Sequence, residues 1–302
     1  MRRALLLIIG LAPLLLTGCV KQLAVGALGD ALAAGGGAYA SDDDVELVGE
    51  AIPFGLKLME SILAEAPEHD GLLQSAAAGF TQYSNAYVAR EADNVEEKDP
   101  DRARVLRARA KRLYARARRY GLRGLDVRHE GFSAEFQKDR AAALAKLEAE
   151  DVGLVYWTAA AWVSQIALSK DDMKMVGELP SAEALMARAS ELAPDYDDGA
   201  IHEFYVAYDG GRSEATGGSL TRAKAHLQRV EALTSSQKLG PYVTWAESVS
   251  VQAQDRKEFD ALLDRVLAFD ADSAPRYRLV NLVAQDRARR LKARAGDLFL
   301  ED

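Results

Sequence analysis

Few side chains in this sequence have the type and spacing that catalysis or metal binding requires. His202 and Glu203 begin like the helix of a zinc protease, which needs a second histidine four residues after the first. That position is Val206, so the metal-binding pair is missing. The other histidines have no second ligand at helical or hairpin spacing, and a surface or capping role is expected for each. They are His69, His129 and His226. We predict neither a metal nor a cofactor.

Glu247 is the other side chain that could act in catalysis. Together with Ser248 it is similar to the glutamate–serine pair of lytic transglycosylases. No substrate-cleft motif follows, and the alternative is a structural carboxylate on a helix. The glycine pairs at 210–211 and 217–218 lack the strand and helix that a phosphate-binding loop needs. The sequence therefore predicts a protein that is not an enzyme.

The one cysteine, Cys19, lies where covalent lipid attachment is expected. Two arginines and an apolar run at 4–16 precede it, and such a run is too short to span a membrane but is typical of a secretory signal. Residues 16–19, Leu-Thr-Gly-Cys, are similar to the bacterial lipobox, in which the cysteine thiol and the freed amine are acylated. The alternative is a buried structural cysteine.

These features divide the chain into three parts. We predict a lipoprotein signal peptide at 1–18, a glycine-rich and alanine-rich lipidated tether at 19–41, and one helical domain at 42–302. By its similarity to the bacterial sorting rule, Val20 after the cysteine favours the outer membrane over the inner one. The expected location is therefore the periplasm of a Gram-negative bacterium, with a lipid anchor to the outer membrane.

Composition restricts the fold and the partners. A chain of 302 residues with one cysteine can form no internal disulfide, so its stability must come from apolar burial. The net charge of −8 argues against nucleic acid as a partner. Abundant Ala, Leu, Arg and Glu with few β-branched runs indicate helices throughout.

Local signals place several of these helices. Asp99 and Pro100 form a cap and a first-turn proline, and Gly121 and Gly124 are predicted to end that helix. The stretch 152–168 is almost uncharged, which predicts a helix buried on all sides. Asn281 stands on an apolar helix face, so a buried Asn281 must bond the backbone of an adjoining helix.

Three helix junctions resemble the closing turn of tetratricopeptide repeats. They lie at 62–68, 190–195 and 267–272. Their separations are not multiples of the roughly 34-residue repeat, so any array is degenerate and interrupted. We expect an all-α fold of stacked antiparallel helical hairpins, a degenerate tetratricopeptide-like array with a concave face.

An arginine stripe and a set of aromatic residues are the candidate binding groups. The stripe could grip an anionic ligand, lipid headgroups or an acidic partner, and the alternative is a solvated face neutralised by the acidic connection before it. The aromatic residues could line the concave face, and the alternative is packing between helices. The stripe comprises Arg102, Arg109, Arg112, Arg116, Arg119 and Arg123, and the aromatic set comprises Trp157, Trp162, Phe204, Tyr205, Tyr208, Tyr242 and Trp245.

Several stretches, in order along nearly all of the chain after the signal, resemble the TatT family, the T component associated with tripartite periplasmic TRAP transporters. They are residues 41–44, 51–60, 156–162, 194–196, 199–202, 241–247, 254–256, 278–281, 286–288 and 297–299. The resemblance implies a non-catalytic periplasmic lipoprotein that forms a homotrimer, docks the substrate-binding (P) component and helps to hold or pass a small ligand. The alternative is a tetratricopeptide-like outer-membrane scaffold in envelope assembly.

Overall fold

The computed structural model describes residues 25–33 and 39–300, and every regular element within them is helical. The predicted all-α class is confirmed. The α-helices are α1 (25–33), α2 (Val45–Glu65), α3 (Asp70–Tyr83), α4 (Arg90–Val95), α5 (Pro100–Arg128), α6 (Phe132–Lys138), α7 (Arg140–Ala145), α8 (Val152–Ala167), α9 (Met173–Val176), α10 (Leu179–Leu192), α11 (Tyr196–Gly210), α12 (Leu220–Thr234), α13 (Gly240–Trp245), α14 (Arg256–Ala268), α15 (Arg278–Ala293) and α16 (Ala295–Leu298).

Two π-helical segments extend α-helices in the part of the chain that the structure describes. Ser84–Ala89 joins α3 to α4, and Ala246–Ser250 follows α13. A π-helix closes its hydrogen bonds over five residues instead of four, so the side chains that follow point in a different direction. Both segments contribute residues to one cleft, which is described below.

Acidic side chains begin several helices. The carboxylate of Asp44 accepts a hydrogen bond from the Leu47 amide at 2.9 Å. Asp99 accepts one from the Arg102 amide at 2.9 Å, with Pro100 in the first turn as predicted. Each carboxylate satisfies an amide that has no partner within the helix and also complements the positive end of the helix dipole.

Helix α5 runs on to Arg128, so the prediction that Gly121 and Gly124 end it is wrong. Both glycines are buried where α5 packs against α8. A Cβ atom at Gly124 would lie 2.5 Å from the Leu154 side chain, and one at Gly121 would overlap Thr158. The missing side chains let the two helices approach closely, and this contact outweighs the glycine penalty of about 1 kcal/mol per residue.

Helix α8 runs through a large buried cluster, as its uncharged sequence predicts. Leu154, Val155 and Ala159 have no exposed surface. Helices α3, α5 and α10 all contact α8. A charged side chain on any face of α8 would therefore be removed from water at a cost in free energy. Among the described helices, none has the length and apolar character needed to cross a membrane.

Asn281 on α15 confirms the prediction of a satisfied buried amide. Its side chain is fully buried. The Oδ1 atom accepts a hydrogen bond from the Leu239 amide at 3.0 Å, and Nδ2 donates to the Gln237 carbonyl at 2.8 Å. The amide thereby fixes α15 against the residues that lead into α13.

The predicted helix junctions lie between helices. Helix α2 ends at Glu65 and α3 begins at Asp70, and α10 ends at Leu192 just before α11. After Ala268 the chain enters two short 3₁₀ turns before α15. Consecutive helices contact one another in the pairs α2–α3, α11–α12 and α14–α15. The tetratricopeptide-like stacking stays a prediction.

Helix α1 lies within the segment predicted to be a tether, and it packs on α3. The Ser75 hydroxyl donates to the Ala33 carbonyl at 3.4 Å, and Val25 and Leu32 pack against the neighbouring core. The predicted signal peptide and Cys19 lie outside the described residues. The boundaries at residues 18 and 41 stay predictions.

The C-terminal helices return to the N-terminal ones. Nη1 of Arg278 donates to the Ser41 carbonyl at 3.1 Å, and Arg294 forms an ion pair with Glu97 at 2.8 Å. Helix α15 also contacts α2. These contacts bring the two ends of the described chain together around a cleft.

Candidate functional site

A large cleft lies between helix α2 near the N-terminal end and helix α15 near the C-terminal end of the described chain. Its walls come from the start of α2, from the π segment and α4 that follow α3, and from α15. Its volume is about 1040 Å³, at the upper end of the roughly 300–1,000 Å³ range of small-molecule sites. The cleft is the candidate site because it combines this volume with charged side chains that are shielded from bulk water.

Both π-helical segments of the described chain face this cleft. Ala86 and Tyr87 of the first segment line it, as does Glu247 of the second. Arg90, also in the lining, directly follows the first segment. Such segments are rare and occur often at functional sites. Irregular backbone thus delivers two of the charged groups to the cleft.

Arg287 on α15 forms an ion pair with Glu247 in the cleft. The exposed fraction is 26% for the Arg287 side chain and 39% for the Glu247 side chain. Burial, together with the positive charge of Arg90, lowers the pKa of Arg287 to about 9, and the negative charge of Asp93 opposes this shift. The Arg287 guanidinium therefore combines an ion pair to Glu247 with burial that disfavours its charge.

Among the described residues, Arg90 has no counter-ion of its own. Its Nη1 atom is buried and has no hydrogen-bond partner among the described residues, and burial lowers the pKa of the side chain. Two carboxylates act on it, but each already holds another cation. Asp93 pairs with Arg107 at 2.9 Å, and Asp286 pairs with Arg290 at 2.9 Å. The guanidinium therefore keeps donor capacity that the fold does not use.

Tyrosine and aliphatic side chains complete the cleft wall. The rings of Tyr83 and Tyr87 stack with centroids 5.7 Å apart. The Tyr87 hydroxyl donates to the Val45 carbonyl at 3.2 Å, and burial raises the pKa of Tyr87, so the hydroxyl keeps its proton. Leu282 and Val283 of α15 add apolar surface. The wall can therefore cover an apolar or aromatic body beside the charged groups.

This arrangement is suited to binding. Guanidinium groups stay protonated at neutral pH and donate planar pairs of hydrogen bonds to anions. The parts of the chain at 25–33 and 39–300 contain no group of three His, Cys, Asp or Glu side chains placed to hold a metal ion. The lining of the cleft includes arginine and carboxylate side chains beside an apolar surface, so it offers charged groups of both signs for hydrogen bonding.

Three of the seven predicted aromatic residues are buried in separate cores. The exposed fractions of Trp162, Tyr242 and Trp245 are 8%, 1% and 8%. Trp162 donates from Nε1 to Glu178 at 3.0 Å, and the guanidinium of Arg118 lies over its ring at 4.5 Å. The three side chains belong to three different clusters, so they do not form one surface.

The other four predicted aromatic residues are half-buried. Phe204, Tyr205 and Tyr208 on α11 contact one another, and the Phe204 and Tyr208 rings stack at 5.1 Å. Trp157 meets Tyr156 edge to face at 4.8 Å. None of the four lines the charged cleft. A binding role for them stays a prediction.

Three arginines of the stripe, Arg109, Arg112 and Arg116, have different surroundings. Arg109 donates to the Tyr83 hydroxyl at 3.3 Å and so contacts a wall residue of the cleft. Arg116 pairs with Glu60 at 3.5 Å. Arg112 is exposed. Two of the three are thus held against neighbouring helices, and a role of the stripe in binding stays a prediction.

His202 and Glu203 have separate partners. Nδ1 of His202 lies 2.7 Å from Nδ1 of His226, and Glu203 forms an ion pair with Lys238. Burial and the charge of His202 lower the pKa of His226, which favours neutral rings that share one hydrogen. Sequence spacing missed this histidine pair because it depends on the packing of α11 against α12.

Sequence reasoning also missed Arg90 and Arg287 as site residues. Arg287 lies in the stretch 286–288, and Glu247 lies in 241–247, both of which carry the family resemblance. The family resemblance could therefore have indicated Arg287 and Glu247 as site residues. Nothing in the local sequence distinguishes Arg90 from the other arginines, because its position depends on the π segment before it.

Comparison with known proteins identifies the family. The profile of the TRAP transporter T-component family matches residues 41–299. A protein of Treponema pallidum (strain Nichols), described as uncharacterized, is 30% identical over 267 residues, which cover 87% of this chain and 83% of that protein. The matched region contains the whole of the charged cleft. The chain therefore belongs to the TRAP transporter T-component family.

Proposed function

We propose that this protein is a lipid-anchored periplasmic T component that docks the substrate-binding (P) component of a TRAP transporter and helps to hold or pass a small ligand. The observation that carries the proposal is the family match, which extends over residues 41–299. A component associated with a TRAP transporter belongs to the cell envelope. The predicted signal peptide and lipobox cysteine supply export and a membrane anchor.

One outer face of α2 suits the P component. Leu47 and Phe54 lie two turns apart on it, with exposed fractions of 57% and 75%. Glu46 and Glu50 on the adjacent strip of the same helix line the cleft. A partner that exchanges a ligand with the cleft must approach this side, and exposed large apolar side chains next to a cavity favour protein contact.

A binding experiment with two matched variants tests the docking. The soluble chain lacking residues 1–19 and the P component encoded beside it are mixed at low salt, and binding is followed by calorimetry. We expect Phe54→Asp to weaken binding at least tenfold, because it places a charge in an apolar contact. Met173→Asp is the control, since Met173 is equally exposed at 76% but lies on α9, away from the cleft lining.

Light scattering on the same chain tests the oligomer. The proposed homotrimer predicts a mass near three times that of the monomer. A monomer would exclude the homotrimer and leave the docking role untouched. An absence of binding to the P component at low salt would discard the transporter-docking role and favour the envelope scaffold.

A further inference from the structure

The arginine stripe of α5 has positive charges that the fold leaves without counter-ions. Arg109, Arg112 and Arg119 are exposed, and their spacing of three and seven residues places them on one face of the helix. Within residues 25–33 and 39–300, neither Arg112 nor Arg119 has a carboxylate at ion-pair distance. Arg109 donates to the neutral hydroxyl of Tyr83. This face of α5 therefore presents guanidinium groups to the surroundings of the protein.

The acidic connection before α5 does not supply the missing counter-ions. Asp93 and Glu96 both pair with Arg107, at 2.9 and 2.6 Å, and Arg107 lies on a different face of the helix from the stripe. Glu97 pairs with Arg294 at 2.8 Å. The carboxylates that precede the stripe in sequence are thus bound to other cations.

Neighbouring helices reduce the positive charge of the stripe without cancelling it. Glu60 on α2 pairs with Arg116 at 3.5 Å and with Lys57 at 2.5 Å, so it is shared between two cations. Glu65 and Glu68 are exposed at the junction of α2 and α3, beyond the stretch 109–119. From 102 to 125, α5 itself has ten basic residues and no acidic one. The excess of positive charge is therefore greatest along 109–119.

One end of the stripe lies beside the start of the chain that the structure describes. A guanidinium nitrogen of Arg123 donates to the Pro67 carbonyl. Two residues later, Nε2 of His69 lies 3.4 Å from the Gly26 carbonyl of α1. Five residues separate Cys19 from the described start of α1, and a fully extended chain of that length spans about 20 Å. A lipid on Cys19 would therefore hold this end of the stripe near a membrane surface.

We infer that the stripe is a membrane-facing surface, on which Arg109, Arg112 and Arg119 bind the phosphate groups of anionic phospholipids. A guanidinium donates planar pairs of hydrogen bonds to phosphate oxygens, and each basic residue near an anionic leaflet adds attraction. The anchor already holds the domain at the membrane, so a weak contact is sufficient to orient it. The stripe thus sets which face of the domain points away from the membrane.

An acidic protein surface is the competing partner for the stripe. The anchor favours the membrane, because every anchored molecule keeps α1 within about 20 Å of phospholipid headgroups, whereas a protein must first be captured. This inference rests on the lipid anchor of the proposed function and is independent of docking to the P component.

The test uses the full lipidated chain in nanodiscs without the P component. Cys19 is the only cysteine of the sequence and its thiol carries the lipid, so an introduced cysteine can be labelled alone. Ala108→Cys places a fluorophore at an exposed position one turn before Arg112, and Ala261→Cys places one at an exposed position of α14. Lipids with a nitroxide headgroup quench a fluorophore that lies close to the membrane.

The quenching should depend on the charge of the lipid. In nanodiscs of phosphatidylcholine with about 30% phosphatidylglycerol, we expect at least twofold more quenching at position 108 than at position 261. Quenching at 108 should fall by at least half in pure phosphatidylcholine, or when salt is raised to about 0.5 M.

Charge reversal identifies the residues that make the contact. Arg112→Glu combined with Arg119→Glu should reduce quenching at position 108 to its level in pure phosphatidylcholine. Lys224→Glu combined with Lys257→Glu is the control, because it makes the same change of charge at exposed positions of α12 and α14. The control should change the quenching less than 1.5-fold, on the order expected for screened, distant charges. Thermal melting confirms that each variant is folded.

Three results would contradict the inference. Equal quenching at 108 in anionic and neutral nanodiscs would show that the stripe does not bind anionic lipid. Quenching that the Arg112 and Arg119 reversals leave unchanged would place the contact elsewhere. If those reversals instead weakened binding of the P component, the stripe would be a protein contact.

Mass spectrometry of Cys19 separates this inference from the proposed function. An acylated chain that shows no quenching at 108 loses the membrane-facing stripe and keeps its anchor. A chain without the lipid loses both, while docking to the P component is measured independently on the soluble chain.

Discussion

Two regions of the molecule shield cationic side chains from water, and they do so in opposite ways. Beside α11, Lys238 pairs with Glu203, and the negative charge of Asp197 adds to the attraction. Burial alone would lower the pKa of Lys238, but the Glu203 carboxylate outweighs it and raises the pKa. In the cleft, Arg90 has no comparable partner within residues 25–33 and 39–300. The first region is an ion pair that the fold completes, whereas the second leaves a buried donor of Arg90 without a partner among the described residues.

The backbone beside the closed pair is strained. Asp197, Asp198 and Gly199 at the start of α11 have φ values of 49°, 52° and 88°. Left-handed conformations cost about 1–2 kcal/mol per non-glycine residue. The Asp198 carboxylate accepts a hydrogen bond from the Tyr277 hydroxyl at 3.0 Å and pairs with Arg276. The strain at α11 is offset by its own ion pairs and hydrogen bonds, whereas Arg90 in the cleft has no such bond to its buried Nη1 atom among the described residues.

The largest effect is expected from breaking the closed pair. Lys238→Met leaves the Glu203 carboxylate without its cation, and we expect the free energy of unfolding to fall by about 2–4 kcal/mol. The loss stays below that of a fully buried pair because 15% of Lys238 and 27% of Glu203 are exposed. Urea denaturation followed by circular dichroism measures it.

Two further variants control that measurement. Lys257→Met removes an exposed lysine and should change stability by less than about 0.5 kcal/mol. Adding Glu203→Gln to Lys238→Met should recover part of the loss, because the stranded charge is removed. If Lys238→Met lowered the free energy of unfolding by less than about 1 kcal/mol, solvent would already screen the Lys238–Glu203 pair. The two regions would then not differ in how the fold stabilises their cations.

An intermediate loss of stability is expected at Asn281, a neutral side chain whose hydrogen bonds are complete. Asn281→Leu strands the Leu239 amide and the Gln237 carbonyl, so it should cost about 1–3 kcal/mol. Thermal melting compares it with Val280→Ala, a neighbour that is 45% exposed and should cost less than about 0.5 kcal/mol. An unchanged melting temperature for Asn281→Leu would show that water replaces the lost partner.

The smallest change in the free energy of unfolding, with the opposite sign, is expected for a substitution of Arg90. Arg90→Met removes a shielded cation that has no counter-ion in the described part of the chain, so the free energy of unfolding should stay constant or rise by up to about 1 kcal/mol. Arg107→Met is the comparison. Arg107 pairs with Asp93 and Glu96 at the surface, so this substitution should lower the free energy of unfolding by up to about 1 kcal/mol. If Arg90→Met lost clearly more than 1 kcal/mol, Arg90 would belong with Lys238 as a group that the fold itself satisfies.

Sequence patterns predicted those features that depend on neighbours along the chain. The cap at Asp99, the buried helix α8 and the hydrogen-bonded Asn281 all follow from local composition and periodicity. Gly121 and Gly124 were misread because propensity treats glycine as a helix end, whereas contact with α8 makes it necessary inside the helix. The stabilisation comes from packing between two helices, and no local sequence pattern predicts it.

The candidate site was less accessible from sequence. Its charged groups come from α4, α15 and the segment after α13, which are far apart along the chain. The aromatic and arginine patterns show which side chains share a face of one helix. They do not show which faces of different helices pack together. The three aromatics that became core, Trp162, Tyr242 and Trp245, have the same local pattern as those left half-buried.

The π-helical segment Ser84–Ala89 also constrains how this chain can change over evolutionary time. Deleting one residue from such a segment restores an ordinary α-helix, and each later side chain then turns by about 100° around the axis. Arg90 would leave the cleft with no substitution at any residue that lines it. A lineage could therefore lose or regain the cleft chemistry by a single codon deletion or insertion, and alignments that count only substitutions would not record the event.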